Sequence, residues 1–491
     1  MRYGPVLSAA AKVATLLLGC VGGALTCAAQ AAGSPSAGPL VHEFSVTLAP
    51  HTRTEAAGPL FYREVGEGFS QWALPPFFSR TERTDVDATE MDVLYPLLTY
   101  DRFGAEYRFQ IIQLFSFSGG GSQQGDTAER FSLFPFYFQQ RSADPSRNYT
   151  ALLPFYGHLK GRLLRDEIRF VLFPLFSETR KKDVVTDNYV FPFFHLRHGN
   201  ALTGWQFWPL VGHEHKGVTT RTNVADEVEI LGGHDKFFAA WPFFFRNRLG
   251  LGTTNEQTQN VLLPLYSTLR SPARDSTTVL FPFFTRTEDR EKRFTEWDVP
   301  YPLVVFARGE GKYTTRVWPF YSHATNAVLT SDFYLWPLYK YNRAQAEPLD
   351  RERTRWLLFL WSDLSEKNTA TGAAFRRKDL WPLFTWRHEL NGNERLQVLA
   401  PLEPLVPNNK SIERNWSPLW SLWRAEHNAQ TGARSQSLLW NLYRHDEAGG
   451  AKKCSLLFGL IQYQSTPEGE RWRWFHWPEK PDPRTPTAPA P

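Results

Sequence analysis

Cysteine and methionine are scarce in this 491-residue chain, with three Cys and two Met. Cys20 and Cys27 lie in the apolar N-terminus, leaving Cys454 alone in the body, so an intramolecular disulfide framework is excluded. Cys454 opens Cys454-Ser455-Leu456-Leu457-Phe458, where a thiol reads as a small buried hydrophobe. Charge of one sign is also lacking. Lys and Arg number 55 against 50 Asp and Glu, a net +5 with no basic block, which excludes a nucleic-acid partner. Past the N-terminus no apolar run reaches the roughly 18 residues of a membrane-spanning helix, so a polytopic helical membrane protein is excluded. There is no G-x-S-x-G, no phosphate-cradling loop, no dinucleotide fingerprint and no H-E-x-x-H. The chain therefore reads as non-enzymatic and without a cofactor.

The N-terminus carries an export signal. Arg2 and Lys12 flank a short first region, and Val13 to Leu25 is apolar and uncharged, the length of a signal core. Two processing readings stay open. Ala29-Gln30-Ala31 suits ordinary cleavage, giving a signal over 1–31. Leu17-Leu18-Gly19-Cys20 looks like a lipobox, giving a signal over 1–19 and a lipid on Cys20. Both place the protein in a bacterial cell envelope, at the outer membrane, in the periplasm or on the cell surface.

What is abundant is aromatic residues, 38 Phe, 18 Tyr and 18 Trp, and 35 Pro. They come together in a recurring motif: an aromatic or Leu, then Pro, then Leu or Phe, then usually another aromatic. Its prolines are Pro135, Pro154, Pro174, Pro192, Pro209, Pro242, Pro264, Pro282, Pro302, Pro319, Pro337 and Pro382. Pro59, Pro76 and Pro96 look like earlier copies, Pro401 and Pro418 like weaker ones. From Pro135 the steps are 19, 20, 18 and 17 residues, and from Pro264 they are 18, 20, 17 and 18. The step of 33 from Pro209 to Pro242 suggests an insertion or a lost copy. Copies without proline, such as Leu358-Phe359-Leu360-Trp361 and Leu457-Phe458-Gly459-Leu460, fill the gaps and bring the total to about 20 units.

Each unit reads as one strand and one polar turn. The apolar stretch is rich in strand formers, and a proline at its centre would break a helix. One apolar run per unit argues against a solenoid coil and for an antiparallel meander. The expected fold is all-β, about 20 antiparallel strands over 55–465, closed into a large barrel so that no edge is left open. A propeller or a layered repeat scaffold is the alternative. Around Pro174, both Val171, Phe173, Leu175 and Phe170, Leu172, Phe176 are apolar, so both faces look apolar at the strand centre. A water-filled porin lining is then unsuited. The proline itself would remove one ladder hydrogen bond per strand. Residues 32–54 read as a linker and 466–491 as a Pro-rich tail.

Export signal, all-β repeats, aromatic abundance and polar connectors together resemble the bacterial outer-membrane β-barrel class. The resemblance implies contact with outer-membrane lipid and a structural role, or the passage of an apolar or amphiphilic molecule. Two features depart from it. The apolar cores are shorter than the roughly nine to eleven residues of a spanning strand, and no aromatic-terminated closing strand ends the chain. A periplasmic or surface scaffold binding a glycan or an envelope protein is the alternative.

Candidate chemistry is sparse. His213 and His215, two apart on a strand, share a face and offer two metal ligands, but no third follows at a telling spacing, so a solvated loop is the plainer reading. Asp85, Asp87, Glu90 and Asp92 form an acidic stretch without the glycine of a calcium loop.

Overall fold

The computed structural model describes residues 36–121, 128–222, 226 and 228–475. The chain is all-β: 44 strands, most of five to eight residues, with short helices confined to a few connections. Forty-two strands form one antiparallel sheet in which each strand pairs with its neighbours in sequence. The remaining two, Thr219–Thr222 and Val228–Leu231, make a separate hairpin, which is the insertion behind the 33-residue step. The first strand, His42–Ser45, and the last, Gly469–Trp474, fall inside the segments read as linker and tail.

The strand count is about double the expected 20, and the reason is where the prolines sit. They do not occupy strand centres. Each of the twelve repeat prolines follows a cis peptide bond in a tight turn between two strands. Phe136 N–H donates to Leu133 O at 2.8 Å across Phe134-Pro135, and Leu175 N–H to Leu172 O at 2.8 Å across Phe173-Pro174. A cis proline at the third position of such a turn defines type VI. The missing proline N–H is therefore not demanded by any ladder. Proline carbonyls are used instead: Phe173 N–H donates to Pro154 O, and Phe191 N–H to Pro174 O, both at 2.7 Å. Neighbouring turns are thereby stitched into a continuous edge. An apolar run that looked like one strand is the end of one strand, a turn and the start of the next.

Register follows from the turns. Leu133, Tyr137, Leu152, Tyr156, Val171, Phe176 and Tyr189 lie opposite one another in succession. Val317, Tyr321, Tyr334, Tyr339, Trp356 and Trp361 repeat the pattern. These are the residues that flank the turns, and they form one apolar row along the outer face. Rings on it touch, with Tyr334 to Tyr339 at 5.6 Å and Tyr339 to Trp356 at 4.9 Å between centroids. Such cross-strand pairs contribute roughly 0.2–1 kcal/mol each.

A sheet closes into a barrel only if its strands tilt and their register staggers. Here the same level pairs with the same level from hairpin to hairpin, so the stagger does not accumulate. The expected closed barrel is not formed: the first and last strands of the sheet do not pair. Nor is there a second sheet packed throughout to give a layered core. Among the described residues the buried apolar side chains are few and scattered, apart from one cluster around Tyr149, Leu159 and Phe170.

The expectation of two apolar faces holds only in part. Counting from the turn, the second residue of a strand points to the inner face, where some strands place Phe170, Val261, Val305 or Phe333 and others short polar groups. Ser79, Ser177, Ser322, Ser362 and Ser455 are all buried at that level. Side chains converge on a concave face, so short ones let the strands curve. By the third residue the outer face is mixed: it is charged in pairs such as Arg169–Glu167 at 2.8 Å and His323–Asp332 at 2.7 Å, and apolar at Trp205, Trp297 and Phe306.

Candidate lipid-contact edge and the seam

The twelve repeat prolines share one edge of the sheet, because their turns all join strands at the same end; the cis Glu347-Pro348 turn lies at the other. The residue after each proline stands out from that edge: Phe136, Phe155, Phe193, Phe243, Phe283 and Phe320 are 45–61% exposed. The residue before each proline lines the same edge, and Trp208 meets Trp241 at 5.5 Å and Trp318 meets Trp336 at 5.9 Å. With the outer apolar row just behind, the apolar band comprises the turn and one residue of each flanking strand. At about 3.4 Å per strand residue the band is roughly 7–10 Å deep. The opposite edge is made largely of polar hairpins such as Lys181-Lys182-Asp183 and Arg290-Glu291-Lys292, with exposed apolar residues among them, such as Phe103, Leu163, Leu164 and Leu390. Soluble monomers seldom expose a contiguous apolar surface of this extent without using it.

The sequence pointed to this edge through the prolines but not to the way the sheet's ends are held. The segment between the strands Glu394–Val398 and Trp423–His427 contains the helices Lys410–Asn415 and Ser417–Trp420. Pro401 and Pro418, read as weak repeat copies, belong to this helical insert and not to type VI turns. It carries Arg414 to the inner face of the N-terminal strands. There the guanidinium bonds Glu90, Asp92 at 3.0 Å and Thr81 at 3.1 Å. Asn415 reaches Asp92 at 2.9 Å, and Tyr62 donates to the Arg414 carbonyl at 3.0 Å. The acidic stretch weighed for calcium is thus the partner of an arginine 322 residues away. Glu413 sits between Arg387 at 2.6 Å and Arg395 at 3.2 Å. Burial alone would raise its pKa, but Arg395 and Arg387 outweigh it and hold the carboxyl at about 2.

Further along this seam Arg444 lies 3.9 Å from the ring centre of Phe44 and bonds the Ser45 carbonyl. His42 is 1% exposed and packed on the backbone of Gly459, where an added Cβ would fall 2.3 Å from its ring. Burial first, then Lys453 and Arg444, push its pKa down to about 3. The folded chain thus holds His42 neutral, while the unfolded chain protonates it near 6.5. Its contribution to stability is complete above pH 6.5 and declines as pH falls toward 3. At pH 5 the loss is about 2 kcal/mol, at about 1.36 kcal/mol per pH unit. Amide exchange of 36–46, corrected for intrinsic rates, should therefore accelerate between pH 7 and 5. His42→Phe should flatten that dependence, and an unchanged profile would exclude His42 as its source.

The remaining sequence candidates are placed as follows. His213 and His215 share the outer face of Val211–Lys216, and both face Asp235, at 3.2 and 3.5 Å. They lie in a strand rather than a loop, and the carboxylate between them makes an exposed ion-pair cluster. Glu214, on the other face, takes His234 at 2.6 Å and Arg197. Among the described residues no group of three or more His, Cys, Asp or Glu side chains is placed to hold a metal ion. Cys454 is half-buried and free. Cys20 and the signal segment lie outside the described residues. No helix among the described residues is long and apolar enough to cross a membrane. No protein-family model matches the chain, and a search of curated proteins finds no significant relative.

Proposed function

We propose that this chain is an exported, non-enzymatic protein of the bacterial envelope that seats its proline edge in one leaflet of the outer membrane. The remaining sheet then stands off the surface as a polar wall. The observation that carries this reading is the depth of the apolar band. Interfacial elements bury their apolar face about 5–10 Å into the headgroup and acyl boundary, which matches one turn and one row. A spanning strand needs about nine to eleven residues for a hydrocarbon core of about 30 Å. Six-residue strands span about 20 Å, and in strands such as Arg165–Val171 and Leu329–Tyr334 the outer face carries charge from the third residue. The reading therefore replaces a membrane-spanning barrel with a sheet inserted edge-on. The role is structural, or that of a platform for amphiphiles at the membrane surface.

Flotation of the purified mature chain with phosphatidylethanolamine–phosphatidylglycerol vesicles tests this. Apolar insertion is not screened by salt, so the protein should float equally at 0.1 and 1 M NaCl and leave the vesicles only with detergent. Protein that stays at the bottom of the gradient would refute the reading and point to a scaffold for a glycan or an envelope protein.

A further inference from the structure

The inner face is polar in most strands, with buried apolar residues such as Val261, Val305 and Phe333 in others. Between the strands Ala128–Leu133 and Val184–Tyr189 it carries a cleft of about 930 Å³. That volume is in the range of small-molecule sites. The floor is the apolar cluster of Tyr149, Leu159 and Phe170, each no more than 4% exposed. Gly157 lets it form: the Phe170 ring lies where a Cβ at that position would be, 2.2 Å away. At the proline edge the cleft is bounded by Phe134, Phe173 and Phe191, the residues that precede the cis prolines, so it opens onto the apolar band.

The other end is cationic. Arg130, Arg147, Lys160 and Arg162 line it, and among the described residues no carboxylate does. Arg147 pairs with Asp144 at 3.8 Å, and the other three are held by neutral oxygens. Arg130 donates to Gln140 Oε1 at 2.9 Å, Arg162 to the Tyr149 hydroxyl at 2.7 Å, and Lys160 to the Ser146 carbonyl. The guanidinium of Arg162 also lies 5.4 Å from the centre of the Phe138 ring. Elsewhere on the inner face some arginines are matched to acids, as in Arg377–Asp379 at 2.9 Å and Arg444–Asp446 at 2.6 Å, while Arg316 and Arg353 bond serine hydroxyls. Three cations held by neutral oxygens at one end of an apolar cleft are complementary to an anion with an apolar tail.

We propose that this cleft binds a single-chain amphiphile with an anionic headgroup. The acyl chain runs over Leu159 and Phe170 toward the edge, and the headgroup sits at Arg130, Lys160 and Arg162. Carboxylate and phosphate headgroups share this chemistry, and the test separates them. Binding of palmitate, palmitoyl-lysophosphatidylglycerol and neutral monopalmitin to the full mature chain is measured by calorimetry below their micelle concentrations. At least one anion should bind one-to-one, at least tenfold tighter than monopalmitin. The tighter of the two identifies the headgroup. Arg130→Glu with Arg162→Glu should weaken anion binding at least fiftyfold without changing circular dichroism. Thr179→Trp, which fills the cleft and keeps its charges, should also abolish it. Equal affinity for monopalmitin, or anion binding that survives both variants, would overturn the proposal. Vesicle flotation is read separately: variants that lose palmitate but still float leave the edge reading untouched, and wild type that binds palmitate without floating leaves this site standing.

Discussion

Replacing Phe136, Phe155, Phe193, Phe243, Phe283 and Phe320 together by Asp is expected to abolish vesicle flotation while leaving the β-type circular dichroism intact. All six follow a cis proline and are about half exposed, so the fold loses little when they change. Moving half of a phenylalanine's surface out of water is worth about 1–2 kcal/mol at about 25 cal/mol per Å². Taking the lower figure, six such residues contribute about 6 kcal/mol, or roughly four orders of magnitude in partitioning. Asp adds a desolvation penalty on top, because a carboxylate does not leave water without a partner. The control is on the opposite edge. Leu163 and Leu164 are 77% and 91% exposed, and Asp at both should not alter flotation. Loss of flotation in that control with retention in the sixfold variant would mean that the polar edge faces the lipid.

The edge was legible in the sequence because it is built from a local signal. A proline between two strand-forming flanks recurs, over much of the chain every 17 to 20 residues, and the twelve principal copies do lie at the same level of one meander. What the signal could not convey was that the chain reverses there. Val171 and Phe176 point to one face although they are five apart, because a turn separates them. Counting alternate residues straight through Pro174 therefore mixes the faces. Charge does not mark the connectors: Arg376, Arg377, Lys378 and Asp379 lie within the strand Ala374–Leu380. A single-layer sheet has solvent within reach of both faces, so its strands need no apolar alternation of the kind that marks a half-buried strand. The barrel expectation came from the need to remove edges, and the absence of accumulated stagger overrides it. The cleft and the seam left no local trace. Arg130 and Arg162 read as ordinary loop or strand charges until the strands bring them to one end of a cleft. Glu90 and Asp92 likewise gain meaning only from Arg414 across the sheet.

That seam supplies the second large effect. Arg414→Met should open the two ends of the sheet, seen as faster amide exchange in 78–93 and 410–416 and as an increased radius of gyration in solution scattering. Arg414 and Asp92 are 8% and 3% exposed. Removing one partner of a buried ion pair leaves the other charge uncompensated and costs about 3–5 kcal/mol, enough to speed exchange roughly a hundred- to several-thousandfold. The loss is concentrated at the seam because side chains alone join the ends there, whereas every other junction in the sheet is a hydrogen-bonded ladder. Adding Glu90→Gln and Asp92→Asn to Arg414→Met removes the stranded charge, so most of the lost protection should return. Recovery in the triple variant would distinguish an electrostatic fault from a packing defect, since Met leaves the same gap in both. Exchange in Arg414→Met equal to wild type would show that Arg444 on the Ser45 carbonyl, and His42 against Gly459, hold the ends without it. Opening the seam leaves the register of the proline turns unchanged, so the variant should still float, separating the closure of the sheet from its seat in the membrane.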